Sequence, residues 1–407
     1  MKWSKPIRKP ARDGLAILLP LSLLTVCGVQ ADGEVSVQLR EKRFPVANDA
    51  VRAGLEVAER EANLGNLRLA YHQLVNPRNH DAPVVKGYGD YLMRCEFPIW
   101  NWNWDLEYFL DATITDVSGK SAIANRARVQ EGMFVLERGN RAVVDMVWPL
   151  AGELTGKLIV RLVKLGANDK WFYLEVSLEG AAESRISQLR LGAYPFTTTG
   201  PPERQRWVTS LTSTHQMGNA RSPLDASTEW GLVLHNRNAH ETGGCLLVFD
   251  PEEIESVKAG GTYNVATFLD PKPNAARAVH LAVGYFWDQP CDQAISAFRT
   301  EAESKLRSLR SLPWAVKLDA SRWISKRKEL DQLIQQNALA QQHSEPWTNL
   351  SRQIDQCLAA IDANSEFEST TVQRRAGQRK FLQLMKELPE LENKLYGAAV
   401  QSLIEAN

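Results

Sequence analysis

Seven histidines in 407 residues make each one worth placing, and two sit where strands should end among polar neighbours. His215 lies in Thr214-His215-Gln216-Met217-Gly218-Asn219. His235 closes an apolar run and is followed by Asn236-Arg237-Asn238 and His240. Tyr194, Arg204 and Arg206 come shortly before them. Lytic cleavage of a uronate-containing polysaccharide needs a base such as His or Tyr to remove the C5 proton, and a cation to neutralise the carboxylate. These residues are of those types, so His215, His235, Arg237 and Tyr194 form the candidate catalytic set, with Arg204 as a binding cation. Hydrolysis of a glycosidic bond would instead need two carboxylates facing each other across a cleft. Asp105, Glu107, Asp145 and Glu175 all fall on expected strands and are the candidates for that role.

The competing reading of each is plain. Almost any protein surface supplies His, Arg and Tyr, so the types alone do not make a site. His235 and His240 stand five apart, a spacing that is not diagnostic of metal ligation, and no cysteine lies in a C-x-x-C pair. No metal site is therefore expected, and no cofactor is assigned. The chain carries no G-x-G-x-x-G, P-loop, G-x-S-x-G or H-E-x-x-H signature.

The stretch most distinctive in composition is residues 98–110, PIWNWNWDLEYFL. Read with period two, Trp100, Trp102, Trp104, Leu106 and Tyr108 share one face, and Asn101, Asn103, Asp105 and Glu107 the other. That separation predicts a strand, since successive side chains point to opposite faces. Indoles stack on the apolar faces of sugar rings while amides and carboxylates bond their hydroxyls. Trp100, Trp102, Asn101, Asn103, Asp105 and Glu107 are accordingly the candidate saccharide-binding residues. In the alternative the indoles line the core, because aromatic side chains bury large areas, and the polar row faces out as a platform or as ordinary solvated surface.

Composition bounds these readings. Apolar residues make up 44% and charged residues 24%, ordinary for a globular chain. Residues 1–31 hold five basic and one acidic residue, leaving 43 basic and 47 acidic in the remainder, a balance of −4. That is no basic footprint for nucleic acid. Lys2, Lys5, Arg8, Lys9 and Arg12 precede an apolar run at residues 15–26, and Val29-Gln30-Ala31 supplies small residues for cleavage before Asp32. The expectation is a signal peptide over 1–31 and a secreted or periplasmic protein with no transmembrane segment after cleavage. Cys27 loosely resembles the acceptor of a bacterial lipoprotein box, but Val26 stands where a small residue is expected. Cys95, Cys245, Cys291 and Cys357 remain after cleavage and allow three disulfide pairings, or simply buried thiols.

Along the chain, strands are expected near residues 34–40, 67–71, 132–137, 141–148, 157–165, 171–178, 188–196, 205–211, 229–236, 244–250, 261–269 and 276–287. Residues 48–63 read equally as helix or strand. Residues 76–83, 197–204 and 213–227 read as loops. From Asp292 the period changes to helical, with Asp319 expected to cap a long helix reaching about Gln342. Ser344-Glu345-Pro346 restarts a helix, and the last segment, 365–406, breaks at Pro389. Basic clusters in this tail (Arg322, Lys326, Arg327, Lys328; Arg374, Arg375, Arg379, Lys380) read as solvated helix faces, with acidic residues nearby.

About a dozen strands without intervening helices predict an all-β domain over 32–291, a large two-sheet sandwich, followed by an α-helical C-terminal region over 292–407. At the level of architecture alone this is similar to the galactose-mutarotase-like fold found in sugar-processing proteins. Three functions follow as expectations: an exported carbohydrate-binding or carbohydrate-associated protein with an oligosaccharide or polysaccharide partner; a polysaccharide lyase or glycoside hydrolase; or a non-catalytic assembly protein that self-associates through its helical tail.

Overall fold

The computed structural model describes residues 34–45, 54–76, 79–83, 94–96, 110–124, 130–150, 154–180, 183–193, 206–236, 244–262, 264–285, 289–363 and 368–405. Among these residues the chain forms twenty strands in three antiparallel sheets, followed by six helices. The first sheet holds β1 (Val37–Pro45), β2 (Glu56–Leu64), β3 (Leu67–Asn76), β4 (Asn79–Pro83) and β5 (Arg94–Glu96), with both β4 and β5 paired to β3. The later strands are β6 (Leu110–Asp116), β7 (Ser121–Ile123), β8 (Gly132–Glu137), β9 (Ala142–Pro149), β10 (Lys157–Lys164), β11 (Trp171–Glu179), β12 (Ser184–Ala193) and β13 (Arg206–Ser210). They continue with β14 (Thr214–Gln216), β15 (Ser222–Leu224), β16 (Gly231–Asn236), β17 (Cys245–Phe249), β18 (Ile254–Gly260), β19 (Val265–Pro271) and β20 (Ala278–Tyr285). Nine form one sheet in the order β14-β13-β16-β17-β20-β11-β10-β9-β8, and six form another in the order β15-β18-β19-β12-β6-β7.

Strand alternation explains how these sheets share a core. On β10, Leu158, Val160 and Leu162 face one way and join a hydrophobic cluster with Leu110, Ile114, Leu189 and Leu269 of the six-stranded sheet and Leu64, Leu67 and Leu69 of the first. Its other face carries Ile159, Arg161 and Val163, and these are buried as well. A strand buried on both faces reads as a near-continuous apolar run, as KLIVRLVK does.

The second face of the nine-stranded sheet is covered from the C-terminal side. Helix α1 (Cys291–Ser311) lays Ala294, Phe298, Ala302 and Leu306 onto Val143, Val163, Trp171 and Tyr173. That i, i+4, i+8 spacing is one helical stripe. Gly284 makes room for it, since a Cβ there would stand 2.9 Å from the Trp171 ring, and Trp171 stacks on Phe298 with centroids 6.2 Å apart. Beyond α1 come α2 (Ser321–Gln336), α3 (Ala338–Gln342), α4 (Glu345–Ala363), α5 (Glu368–Leu384) and α6 (Leu388–Glu405). These five helices enclose a cluster of their own, built on Trp323, Leu330, Trp347, Ile354, Phe381 and Leu395. No helix among the described residues is long and apolar enough to cross a membrane.

Several expectations need correction. Residues 79–83, read as loop, form β4 against β3, and short strands β14 and β15 lie within the expected loop 213–227. Strand β18 was not anticipated; a register shift between Ile254 and Ser256 breaks its period-two pattern. The long helix expected after Asp319 stops at Gln336. Asn337 adopts an extended backbone, and its side chain accepts from the Ala340 N–H at 3.0 Å to start α3. Asp319 accepts from the Ser321 N–H at 2.9 Å, while Ala320 holds the cap position itself. Pro389 lies in the first turn of α6 rather than at the break. Cys291 and Cys357 are free thiols, and Cys245 and Cys291 are buried.

Candidate functional site

His215 reaches the surface at the edge of the nine-stranded sheet, where the chain turns from β13 into β14. Ser210 Oγ ties that turn by accepting from the Thr212 and Ser213 N–H groups at 3.2 and 3.0 Å. A second turn converges on it. Asp225 accepts from Ser227 N–H at 2.9 Å and Thr228 Oγ1 at 3.1 Å, and its carbonyl accepts from the Glu229 N–H at 2.7 Å. This turn delivers Glu229, only 7% exposed, to the histidine.

Glu229 is the acceptor of the whole corner. Its Oε1 meets His215 Nε2 at 2.9 Å and Ser210 Oγ at 3.1 Å and accepts from Ser213 Oγ; its Oε2 accepts from the Asp225 N–H at 2.8 Å. Burial pushes the Glu229 carboxyl up, but hydrogen bonds from Ser213 and His215 outweigh this and hold it below the usual range. It is a fixed carboxylate with its lone pairs committed, not a proton donor.

The histidine tautomer follows from that arrangement. A nitrogen facing a carboxylate must carry the proton, so Nε2–H donates to Glu229 and, in the neutral ring, Nδ1 keeps the lone pair. Ser213 Oγ lies 2.7 Å from the same Nε2 but donates to Glu229. A serine nucleophile needs one ring nitrogen to take its proton and the other to be held by an acid. Here both partners crowd one nitrogen, so the corner is not an acyl-transfer triad. With its side chain 35% exposed, His215 can offer one acceptor or weak base to a ligand. One residue along β13, Trp207 pairs with Gln216 and is partly exposed, but it lies on the opposite face of the sheet from His215.

His235 does not join this corner. It is 1% exposed and its Nε2 lies 2.8 Å from Thr209 Oγ1, which in turn meets Thr214 Oγ1 at 3.1 Å. Val208 pairs with His215, whereas Thr209 pairs with Thr214, so the two histidines belong to opposite faces of the sheet. His235 is a buried histidine bonded to Thr209, away from the His215 corner. Tyr194, Arg204, Arg237, Trp100, Trp102, Asn101, Asn103, Asp105 and Glu107 lie outside the described residues, as does His240.

A second polar constellation crosses the middle of the same sheet. Asp145, Arg161, Glu175 and His280 occupy paired positions on β9, β10, β11 and β20. Arg161 clamps Asp145 in a fork, at 2.7 and 2.9 Å, with both side chains fully buried, and donates to the Trp314 carbonyl at 2.6 Å. His280 lies between two carboxylates, with Nδ1 2.6 Å from Glu253 and Nε2 3.3 Å from Glu175, and the Trp314 ring 4.8 Å away. Burial pulls its pKa down, but bonds to Glu175 and Glu253 raise it to about 9, so the ring is an imidazolium at neutral pH.

Two arginines of α5 complete this row. Arg375 forks onto Glu175, and Arg379 bonds Asp145 at 2.8 Å and Glu179. Burial raises the Asp145 and Glu175 carboxyls, yet Arg161 and Arg379 around Asp145, and His280 and Arg375 around Glu175, bring both below their ordinary values, Glu175 to about 2. Neither can serve as a general acid. They flank a guanidinium instead of facing each other across a cleft, which corrects the hydrolytic expectation for this pair. The reading of Arg375 and Arg379 as solvated is also corrected, since their side chains are 18% and 6% exposed.

Sequence reasoning missed Glu229, Ser213 and Glu253, and the meeting of Glu175 with His280. The charged row did leave a signal: β9, β10 and β11 are apolar strands, AVVDMVWP, KLIVRLVK and WFYLEVSLE, each with a charge at its centre. A charge in a strand buried on both faces must be paired. Among the described residues no group of His, Cys, Asp and Glu is arranged to hold a metal ion.

No protein-family model and no curated protein sequence matches the chain. Solved structures similar to it include an α-N-acetylgalactosaminidase from Bifidobacterium bifidum in complex with GalNAc, at 8% identity and TM-score 0.37, covering 65% of this chain and 39% of that one. An α-galactosidase from Lactobacillus brevis has 8% identity and TM-score 0.30, covering 63% and 41%. A heparan sulfate lyase mutant from Pedobacter heparinus has 12% identity and TM-score 0.26, covering 61% and 37%. The chain thus spans about two fifths of the length of each, and at these scores the likeness assigns neither fold nor activity.

Proposed function

We propose that this protein binds saccharide at the His215 corner of the nine-stranded sheet. The observation that carries the reading is a partly exposed imidazole fixed through one nitrogen by a buried carboxylate, with the Ser210 and Ser213 hydroxyls around it. Hydroxyl-rich, uncharged ligands are held by such fixed acceptors and donors. In this reading the nine- and six-stranded sheets make a large two-sheet sandwich of galactose-mutarotase-like type over 32–291, with 292–407 as its helical region. Residues 1–31 direct export, placing the protein in the secreted or periplasmic space, where polysaccharides are met.

The test is a binding screen of the protein against neutral and uronic-acid polysaccharides, followed by His215→Ala and Glu229→Gln on any binder. Loss of one well-placed hydrogen bond should weaken binding about tenfold. Silence across the panel, or binding untouched by both substitutions, removes this placement.

A second reading is favoured by the free Nδ1 lone pair of the neutral tautomer: proton abstraction from a uronate by His215. New unsaturated uronate in the same wells, lost in His215→Ala, would select it over binding alone.

A further inference from the structure

The tail helices and the sheets have separate apolar interiors. Helices α2–α6 pack around Trp323, Trp347 and Phe381, and towards the sheet the apolar join is Leu382 beside Phe134, Val147 and Ile159. Charge dominates the rest of that contact. Arg375 and Arg379 stand one helical turn apart, so they project from one side of α5. They meet carboxylates about 200 residues away in sequence: Glu175, Asp145 and Glu179.

With α5 seated, four carboxylates (Asp145, Glu175, Glu179, Glu253) face four cations (Arg161, His280, Arg375, Arg379). Without α5 the same carboxylates face Arg161 and His280 alone. The sheet face therefore has a deficit of two positive charges, spaced for a pair of guanidinium groups. Its remaining partners are fixed from the sheet side. Arg161 donates to the Trp314 carbonyl, and Arg141 donates to the Pro313 carbonyl at 2.7 Å. These bonds pin the chain before α2, so the row and its cover at Trp314 belong to the sheet while α5 belongs to the tail.

We propose that this row is a guanidinium-pair site filled in cis by Arg375 and Arg379, and that the tail is a strap which seats and unseats on it as a unit. The ligand class that competes for the face is a doubly cationic one carrying two guanidinium groups at helical i, i+4 spacing. A buried ion pair adds little net stability compared with apolar packing, but it specifies one register strongly, because a lost partner leaves a charge stranded. Such a join is strong when seated, and its charged part depends on two residues, beside the Leu382 contact and the bond from Gln378 to the Val316 carbonyl.

The test uses the full chain with Arg375→Ala/Arg379→Ala. Hydrogen exchange in residues 368–384 should quicken at least tenfold while residues 157–164 keep their wild-type protection. Millimolar guanidinium or methylguanidinium should then slow exchange in 368–384 back towards wild type, with no effect on the unaltered chain. Exchange rising equally in both segments would show one cooperative unit and overturn the strap. Failure of guanidinium to restore protection would overturn the site. Should that variant not fold, Arg375→Lys/Arg379→Lys keeps the charge and loses the fork. Wild-type exchange in its 368–384 segment would overturn the guanidinium assignment, and a rise confined to that segment supports it.

Discussion

His280 and His215 are both held by carboxylates on the same sheet, yet one is a fixed charge and the other is open to a ligand. His280 lies on a central strand with a carboxylate at each ring nitrogen. His215 lies on an edge strand with one nitrogen bonded and its side chain 35% exposed. A central strand has neighbours on both sides and a helical cover, so any charge there must find all its partners within the protein. An edge strand leaves part of its surface to water, and a side chain there can keep one bonding position free. Position in the sheet, not residue type, separates a structural histidine from a candidate binding one.

The largest effect is expected at the centre of the row. Asp145→Ala should destabilise the protein by about 3–5 kcal/mol, because it leaves both Arg161 and Arg379 buried without their shared carboxylate. Urea unfolding measures this, and a loss below about 1 kcal/mol would mean that the row is not a closed charge network.

The His280 pKa is raised from 6.5 to about 9, so its contribution is complete below about pH 6.5 and is lost as pH rises through 9. Glu175 is lowered from 4.5 to about 2, so its contribution is present above about pH 4.5 and is lost as pH falls towards 2. Stability from the row should therefore plateau between these limits. The alkaline limb should disappear in His280→Gln, and its persistence there would assign it to another group.

At the edge the effects should be smaller. Glu229→Gln should cost about 1–2 kcal/mol in thermal or urea unfolding, since an amide cannot accept from every donor the carboxylate serves. His215→Ala should change stability by less than about 0.5 kcal/mol while abolishing most saccharide affinity. A larger loss of stability would make His215 structural, like His280.

Particular elements show how far local pattern reaches. Strands β8 to β11 were legible almost to the residue, because period-two alternation and turn residues act within a few positions. Strand β18 was hidden by one bulge, and β4 by a Pro- and Asn-rich composition that usually marks a loop. His215 was singled out by its polar loop, but Glu229 was not, since its partnership depends on a turn fourteen residues later folding back. Arg375 and Arg379 looked solvated because their own helix offers no hint of the carboxylates that bury them.

The sequence by itself determined a strand-rich region followed by helices from about residue 292, because hydrophobic period is a local property of each segment. It also determined that no nucleotide-binding motif or basic footprint is present. Only the tertiary structure decided which charges meet. Strand order places β20 beside β11, and α5 lies over both β9 and β11, so residues more than 100 positions apart become partners. Such pairings depend on register and packing across the whole chain, and no window of neighbouring residues encodes them.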